Sequence, residues 1–522
     1  MPRRDPGQTS ARPAFVIAAL VLGFFIARFW FVCDDAFILF RYSKNLGTGL
    51  GLTYNPGLPP VEAFTETLWT LLMAIPEALG VDAPVVAPWI TAAGSLFLLW
   101  RVVAYCARRG FGAVGLLATG IFIATSPTIA IWSTSGLSTS LSALLIFLTL
   151  EALFPARSVE TPRFVAAGVF GVGASLMRAD APLWIALLFG LALLGVLRAG
   201  TERRGELRAW GTGLAILSVA GALFLAWRYA TFGDWLPNTA RAKVGVSAIS
   251  LERGAKYVLH YWAILPAVAT AFALGIVRLA RRVKSDVAAL DALDVATLLA
   301  AATFAYSVFV GGDFMAMGRF FFPAVIFLAL VFGEAIDQLV SSPAGNRRAS
   351  LGVALGLLLV SSILPSFDLH LASKSVRESL WFRWSSKSYE SEYVFWQGMH
   401  DRAEEWSLLG KALALHTTAE DSLVLGPIGA VGYYSKVRIY DQYGLVSREV
   451  LSASQPATVR ATPGHDRLVD PDFFDRFKPT YREAWLTRVG TPVRNSKRKP
   501  KMHVYQLPDE LAAGRSLVLK RW

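Results

Sequence analysis

Two adjacent carboxylates, Asp34 and Asp35, stand at the end of an apolar run long enough to cross a bilayer. Carboxylates at a membrane boundary are costly to desolvate, so such a pair faces water, a cation or a hydroxyl-bearing ligand. Partial burial lifts a carboxylate's pKa toward neutrality, where it can take the proton of an attacking hydroxyl. The same pair also reads as a polar helix end at headgroup depth. Adjacent helical residues point about 100° apart, so the sequence leaves open which of the two faces a ligand. Beyond them the segment runs through Arg41, Tyr42, glycines at 47, 49 and 51, Asn55 and Glu62.

Three further polar segments lie between apolar runs: Arg178-Ala-Asp180, Gly233-Asp-Trp-Leu-Pro-Asn238 leading to Arg241 and Lys243, and Gly312-Asp313 leading to Gly318-Arg319. Arginines and a lysine at a membrane edge can hold a lipid-linked phosphate while its tail stays in hydrocarbon. Each alone also reads as a snorkelling anchor. There is no P-loop sequence, and Gly110-x-Gly112-x-x-Gly115 has no strand before it, so it reads as helix entry and packing. Ion-coupled transporters place ionisable groups near mid-membrane, whereas Glu334 and Asp337 fall toward the end of their run. The six histidines lack zinc-type spacing, and Cys33 and Cys106 are expected on opposite sides of the membrane, without a disulfide.

The elements that must position these residues follow from composition. Of 522 residues, 54% are hydrophobic and 17% charged, against about 25% charged in soluble proteins. A multi-spanning membrane protein is implied, and a secreted disulfide scaffold, a cytosolic nucleotide enzyme and a disordered regulator are excluded. Eleven apolar runs approach spanning length: 13–32, 84–105, 112–133, 137–154, 164–177, 182–198, 210–228, 262–280, 295–311, 320–340 and 350–366. The run 68–79 is shorter, contains Pro76, and is expected to be interfacial or re-entrant. With the N-terminus in the cytoplasm, about 18 basic residues fall in about 70 inner-loop positions and about 8 in about 100 outer ones. These inner loops hold Arg101, Arg108, Arg109, Arg278, Arg281 and Arg282 among others. Residues 367–522 are more polar, with a helix expected near 396–416 and strands near 422–425, 437–441 and 503–507. Their entry, Trp381-Phe-Arg-Trp384, reads as an interfacial belt.

The motifs also resemble a known group. Asp34-Asp-Ala-Phe-Ile-Leu-Phe-Arg-Tyr42 with Asn45, Gly51-Leu-Thr-Tyr-Asn-Pro-Gly57, Val61-Glu62 and Leu68-Trp69 resemble the first outer loop of the GT-C membrane glycosyltransferases that include the mycobacterial terminal arabinofuranosyltransferase. Arg178-Ala-Asp180, Gly233 to Asn238 with Lys243, Gly311-Gly-Asp-Phe-Met315 with Gly318-Arg-Phe-Phe321, Gly429 to Tyr434, Tyr440-Asp441 and Pro463-Gly-His-Asp466 continue the series in order.

The resemblance implies a polytopic α-helical domain, 1–366, with about 11 transmembrane helices, and an extracytoplasmic α/β domain, 367–522, in a bacterial inner membrane. It implies a polyprenyl-phosphate-linked sugar donor and an inverting transfer to a hydroxyl of a cell-envelope glycan or lipid acceptor. Asp34 is the expected base and Asp35 its rival. Arg178, Lys243, Arg319 and Arg241 are expected at the donor phosphate, and Arg41, Tyr42, Asn55, Glu62, Asp180, Asn238, Asp313 and His465 at the substrates. No cofactor is required, a divalent cation (Mg2+, Mn2+ or Ca2+) on Asp34 and Asp35 is allowed, and no nucleic acid takes part. The C-terminal domain binds the acceptor or caps the site. The rival readings are a non-enzymatic flippase of lipid-linked saccharides, indifferent to Asp34→Asn, and a structural assembly protein of the envelope.

Overall fold

The computed structural model describes residues 6–157, 160–198, 204–242, 246–285, 290–341, 346–383, 388–456, 467–491 and 502–521. The chain gathers into two compact units that interleave in sequence, one of residues 1–31, 88–226 and 246–396, the other of 32–87, 227–245 and 397–522.

The first unit is helical. Among the described residues, seven helices are long and apolar enough to cross a membrane: Ala11–Arg28, Ala83–Arg108, Ala181–Arg198, Arg204–Phe232, Ala292–Phe309, Arg319–Ser341 and Arg348–Phe367. The eleven expected runs all fall on helices, but four of them do not form one long straight span. Ala113–Ala124, Thr139–Leu153 and Phe164–Met177 are shorter apolar helices. The run 262–280 is broken: Ala248–Ile264 and Pro266–Lys284 meet at a 105° bend. The cause is Pro266, which disfavours helical backbone at Leu265 before it. Pro127 breaks the run 112–133 in the same way, separating Ala113–Ala124 from Pro127–Trp132.

Polar contacts mark the two ends of this bundle. At one end Asp291 accepts from Arg109 at 3.2 Å and from Arg278 at 2.5 Å, so two of the expected inner loops meet on one carboxylate. Asp337 there accepts the N–H of Gly112, which starts the helix Ala113–Ala124 as the glycine reading expected. At the other end lie the segments around Thr139, Arg178 and Arg319. The belt reading of Trp381 to Trp384 is corrected: the Arg383 side chain is fully buried, because it forks onto Glu392 at 2.7 and 2.9 Å and donates to the Phe314 carbonyl at 2.7 Å. Trp384 lies outside the described residues.

The second unit is built on a five-stranded mixed sheet ordered Arg438–Asp441, Ser422–Leu425, Tyr481–Arg488, Arg515–Arg521, Met502–Gln506. The first two pairings are parallel and the last two antiparallel. Ser422–Leu425 is buried on both faces and reads as a continuous apolar run, as parallel strands do. Three strands lie where the sequence places them; Tyr481–Arg488 and Arg515–Arg521 carry charges at irregular spacing that hide their alternation. The helix Thr67–Ala78 is too short to span. It buries Trp69, Met73 and Ala74 and exposes Leu71, Leu72 and Ile75. Cys33 and Cys106 are both buried, and no disulfide joins them.

Candidate functional site

Asp34 opens the helix Asp34–Gly47, preceded by Cys33 in extended conformation. Two acidic residues in the first turn suit the positive end of the helix dipole. The Asp34 carboxylate accepts the N–H groups of Ala430 at 2.7 Å and Gly429 at 3.3 Å. Burial pushes the Asp34 pKa up to about 7; Asp35 adds to the rise, and the two N–H donors oppose it. Asp35, on the same turn, is half-buried.

The joint requires glycine. A Cβ at Gly429 would stand 2.0 Å from the Asp34 carbonyl oxygen, and one at Gly432 would stand 2.0 Å from the Tyr54 hydroxyl. Around them, side chains of the first loop tie down the backbone of the C-terminal segment. Arg41, only 5% exposed, donates to the carbonyls of Gly432 at 2.7 Å, Tyr54 at 2.8 Å and Val437 at 3.0 Å. Tyr54 donates to the Ile428 carbonyl at 2.5 Å. Asn55 donates to the Ile439 carbonyl at 2.9 Å and accepts its N–H at 3.1 Å, extending the ladder of the strand Arg438–Asp441. Asn238 donates to the carbonyls of Gly444 and Leu445 at 2.7 and 2.8 Å. Tyr42 donates to the Val61 carbonyl.

Glu62 is buried against Arg228, with 2.8 Å between Oε2 and Nε; burial raises its pKa more than the arginine lowers it. Arg41, Tyr42, Asn55, Glu62 and Asn238, all expected at the substrates, are thus buried side chains that bond to the protein itself. Arg241 sits at the surface and forks onto Asp234 at 2.7 and 2.9 Å; that hydrogen bonding holds Asp234 below its ordinary pKa. Lys243 and His465 lie outside the described residues. Asp441, which the motif series contains, is fully buried; burial lifts it to about 6 against the N–H donors of Tyr443, Val446 and Leu445.

The other expected residues converge in the first unit. Arg178 forks onto Asp180 at 2.9 and 3.1 Å, and Arg319 forks onto Asp313 at 3.0 and 3.1 Å. Arg178, Asp180 and Arg319 line one cleft with Thr139, Ser142, Trp184 and Phe320. The loop carrying Asp313 and Arg319 is held from below. Arg383 donates to the carbonyls of Phe314 and Met315, and Glu392 accepts the Met317 N–H at 2.6 Å. Burial would raise the Glu392 carboxyl, but Arg383 and then His260 outweigh it and hold it well below the usual range.

Sequence reasoning missed Thr139, Ser142, Gly429 as a contact of Asp34, Arg228, and the Arg383–Glu392 pair. A signal existed for the first two in the hydroxyl-rich text from Ser133 to Ser142. Among the described residues, no group of three His, Cys, Asp or Glu is placed to hold a metal ion.

Residues 393–511 match a family model described as a domain of unknown function, DUF8728. No curated protein matches the chain. Among solved structures, ArnT from Cupriavidus metallidurans bound to undecaprenyl phosphate is similar over 97% of both chains, at 15% identity and TM-score 0.53. The mycobacterial arabinofuranosyltransferase AftD is similar at 16% identity and TM-score 0.49, over 98% of this chain and 40% of its own. In fold this chain is similar to ArnT and GT-C-like, and its apolar helices are those of a multi-pass membrane protein.

Proposed function

We propose that the protein is an integral membrane glycosyltransferase that moves a sugar from a polyprenyl-phosphate donor to a hydroxyl of a cell-envelope glycan or lipid. It works at the outer face of a bacterial inner membrane, with its N-terminus in the cytoplasm and residues 367–522 outside. The observation that carries this reading is the cleft where Arg178 and Arg319 meet, in a fold shared with a protein solved with undecaprenyl phosphate bound. In this reading the two guanidiniums hold the donor phosphate. Asp34, near pH 7 at the balance of its two protonation states, takes the acceptor's proton. The acceptor oxygen bonds to the anomeric carbon as the bond from that carbon to the phosphate oxygen breaks. The electron pair departs with polyprenyl phosphate, and the anomeric configuration inverts. Departure of phosphate needs charge stabilisation and no proton, which suits arginines fixed in place. A lipid-borne donor also accounts for the absence of a P-loop, since no nucleotide has to be held.

The test is reconstitution in proteoliposomes with labelled polyprenyl-phosphate sugars and an acceptor extract. The reading predicts labelled sugar on the acceptor and free polyprenyl phosphate in matching amounts. Movement of intact donor across the bilayer with no bond broken would instead establish the flippase.

A further inference from the structure

We propose that Thr139 and Ser142 are phosphate-binding residues, whose hydroxyls complete with Arg178 and Arg319 a subsite for the phosphate group of a polyprenyl phosphate. The proposal rests on the donor reading above and adds two side chains to it. Seven of the ten residues from Ser133 to Ser142 carry hydroxyls, and all seven are buried. Five have protein partners. Ser133 bonds Ser95 at 2.7 Å, Thr134 accepts the Phe31 N–H at 3.5 Å, and Ser135 accepts the Leu137 N–H at 3.4 Å. Ser138 donates to the Met177 carbonyl and Ser140 to the Thr91 carbonyl, each at 2.8 Å. The remaining two, Thr139 at 3% exposure and Ser142 at 1%, have no hydrogen-bond partner for their hydroxyls among the described residues. They are also the two of the seven that line the cleft with Arg178 and Arg319.

A buried hydroxyl left unpaired costs about 1–3 kcal/mol. Serines and threonines inside apolar helices ordinarily avoid this by donating to the carbonyl one turn back, as Thr149 does to Leu145 and Thr119 to Gly115. Thr139 is the first residue of its fifteen-residue helix, so no helical carbonyl lies one turn behind it. Ser142 follows three residues later, on the same face. Two unpaired hydroxyls therefore share the first turn of one helix, where backbone N–H groups also lack helical acceptors and the dipole favours an anion.

Charge narrows the ligand. Each arginine is already forked onto its own aspartate, so the fixed charges of the two pairs cancel. An anion is then selected by converging hydrogen-bond donors more than by net charge. A phosphate, with acceptor oxygens on several sides, suits a set of donors made of guanidiniums and hydroxyls.

The experiment measures binding of a short-chain polyprenyl phosphate to the full-length protein in nanodiscs, with the matching polyprenol and inorganic phosphate as separate arms. Thr139→Val with Ser142→Ala removes both hydroxyls at nearly constant volume. The expected result is a loss of affinity for polyprenyl phosphate of about tenfold or more, recovery in Thr139→Ser with Ser142 intact, and unchanged binding of polyprenol. Competition by inorganic phosphate, weakened in the double variant, would extend the subsite to free phosphate; loss without such competition would restrict it to the lipid-borne group. An affinity within about twofold of wild type, or equal losses for polyprenyl phosphate and polyprenol, would overturn the proposal and leave the donor reading standing. Failure of the wild type to bind polyprenyl phosphate at all would remove the donor reading itself. If the double variant does not fold, the single variants, each expected to weaken binding by about threefold, carry the test.

Discussion

Asp34 illustrates how a residue's type and its task separate. The sequence shows a carboxylate at a span boundary, and from that a base is a fair expectation. Its pairing with the N–H groups of Gly429 and Ala430, 395 and 396 positions away, has no local signal. The pairing leaves room for chemistry, because each carboxylate oxygen has two lone pairs. With its pKa raised to about 7, Asp34 is neutral below that pH and able to accept a proton above it. The rate at low substrate should therefore climb through an apparent pKa near 7 and level off above it, as measured in a pH profile of kcat/KM. A profile flat between pH 5 and pH 9 would show that Asp34 is not the base. The same shift costs stability as pH rises, since the unfolded chain ionises this group in the ordinary carboxylate range and the folded chain does so only near 7. Arg41 and Asn55 show the converse limit: their chemistry suggests ligands, yet backbone carbonyls far along the chain engage them, which only the fold reveals.

At the scale of elements, periodicity and length located the apolar helices, and prolines explain where the runs break. The contacts of the helix Gly429–Tyr434 were not legible, because a glycine's close approach depends on a neighbour that the sequence does not specify. Gly429→Ala and Gly432→Ala should each destabilise the second unit by about 1–3 kcal/mol, the usual cost of forcing a methyl into packed atoms. Gly356→Ala, with open space around its Cβ, should be neutral or slightly stabilising. Thermal unfolding of the three variants in one detergent checks the contrast. The Arg383–Glu392 pair supports the loop of Asp313 and Arg319. Removing one partner strands a buried charge at a cost of about 3–5 kcal/mol. Glu392→Gln should therefore lower the unfolding temperature and weaken binding of polyprenyl phosphate, whereas the exposed Glu378→Gln should do neither.

For the whole molecule, the class was readable from 54% hydrophobic and 17% charged residues, and basic loops at one end of the bundle agree with it. Less legible was the gathering of residues 32–87 and 227–245 with 397–522 into one unit, since sequence order places apolar spans between them. The basic loops predict orientation. Alkaline phosphatase fused after residue 522 should be active, and the same fusion placed in the loop after Arg282 inactive; the reverse pattern would invert the topology. The central claim, transfer from a polyprenyl-phosphate donor with Asp34 as base, is tested most directly by a single-turnover assay of free polyprenyl phosphate. Wild type, Asp34→Asn and Asp35→Asn are compared on one panel of donors. The account predicts release by wild type, a loss of about a hundredfold or more in Asp34→Asn, and measurable release by Asp35→Asn. Release that is unchanged in Asp34→Asn, or absent from wild type across the panel, would contradict it.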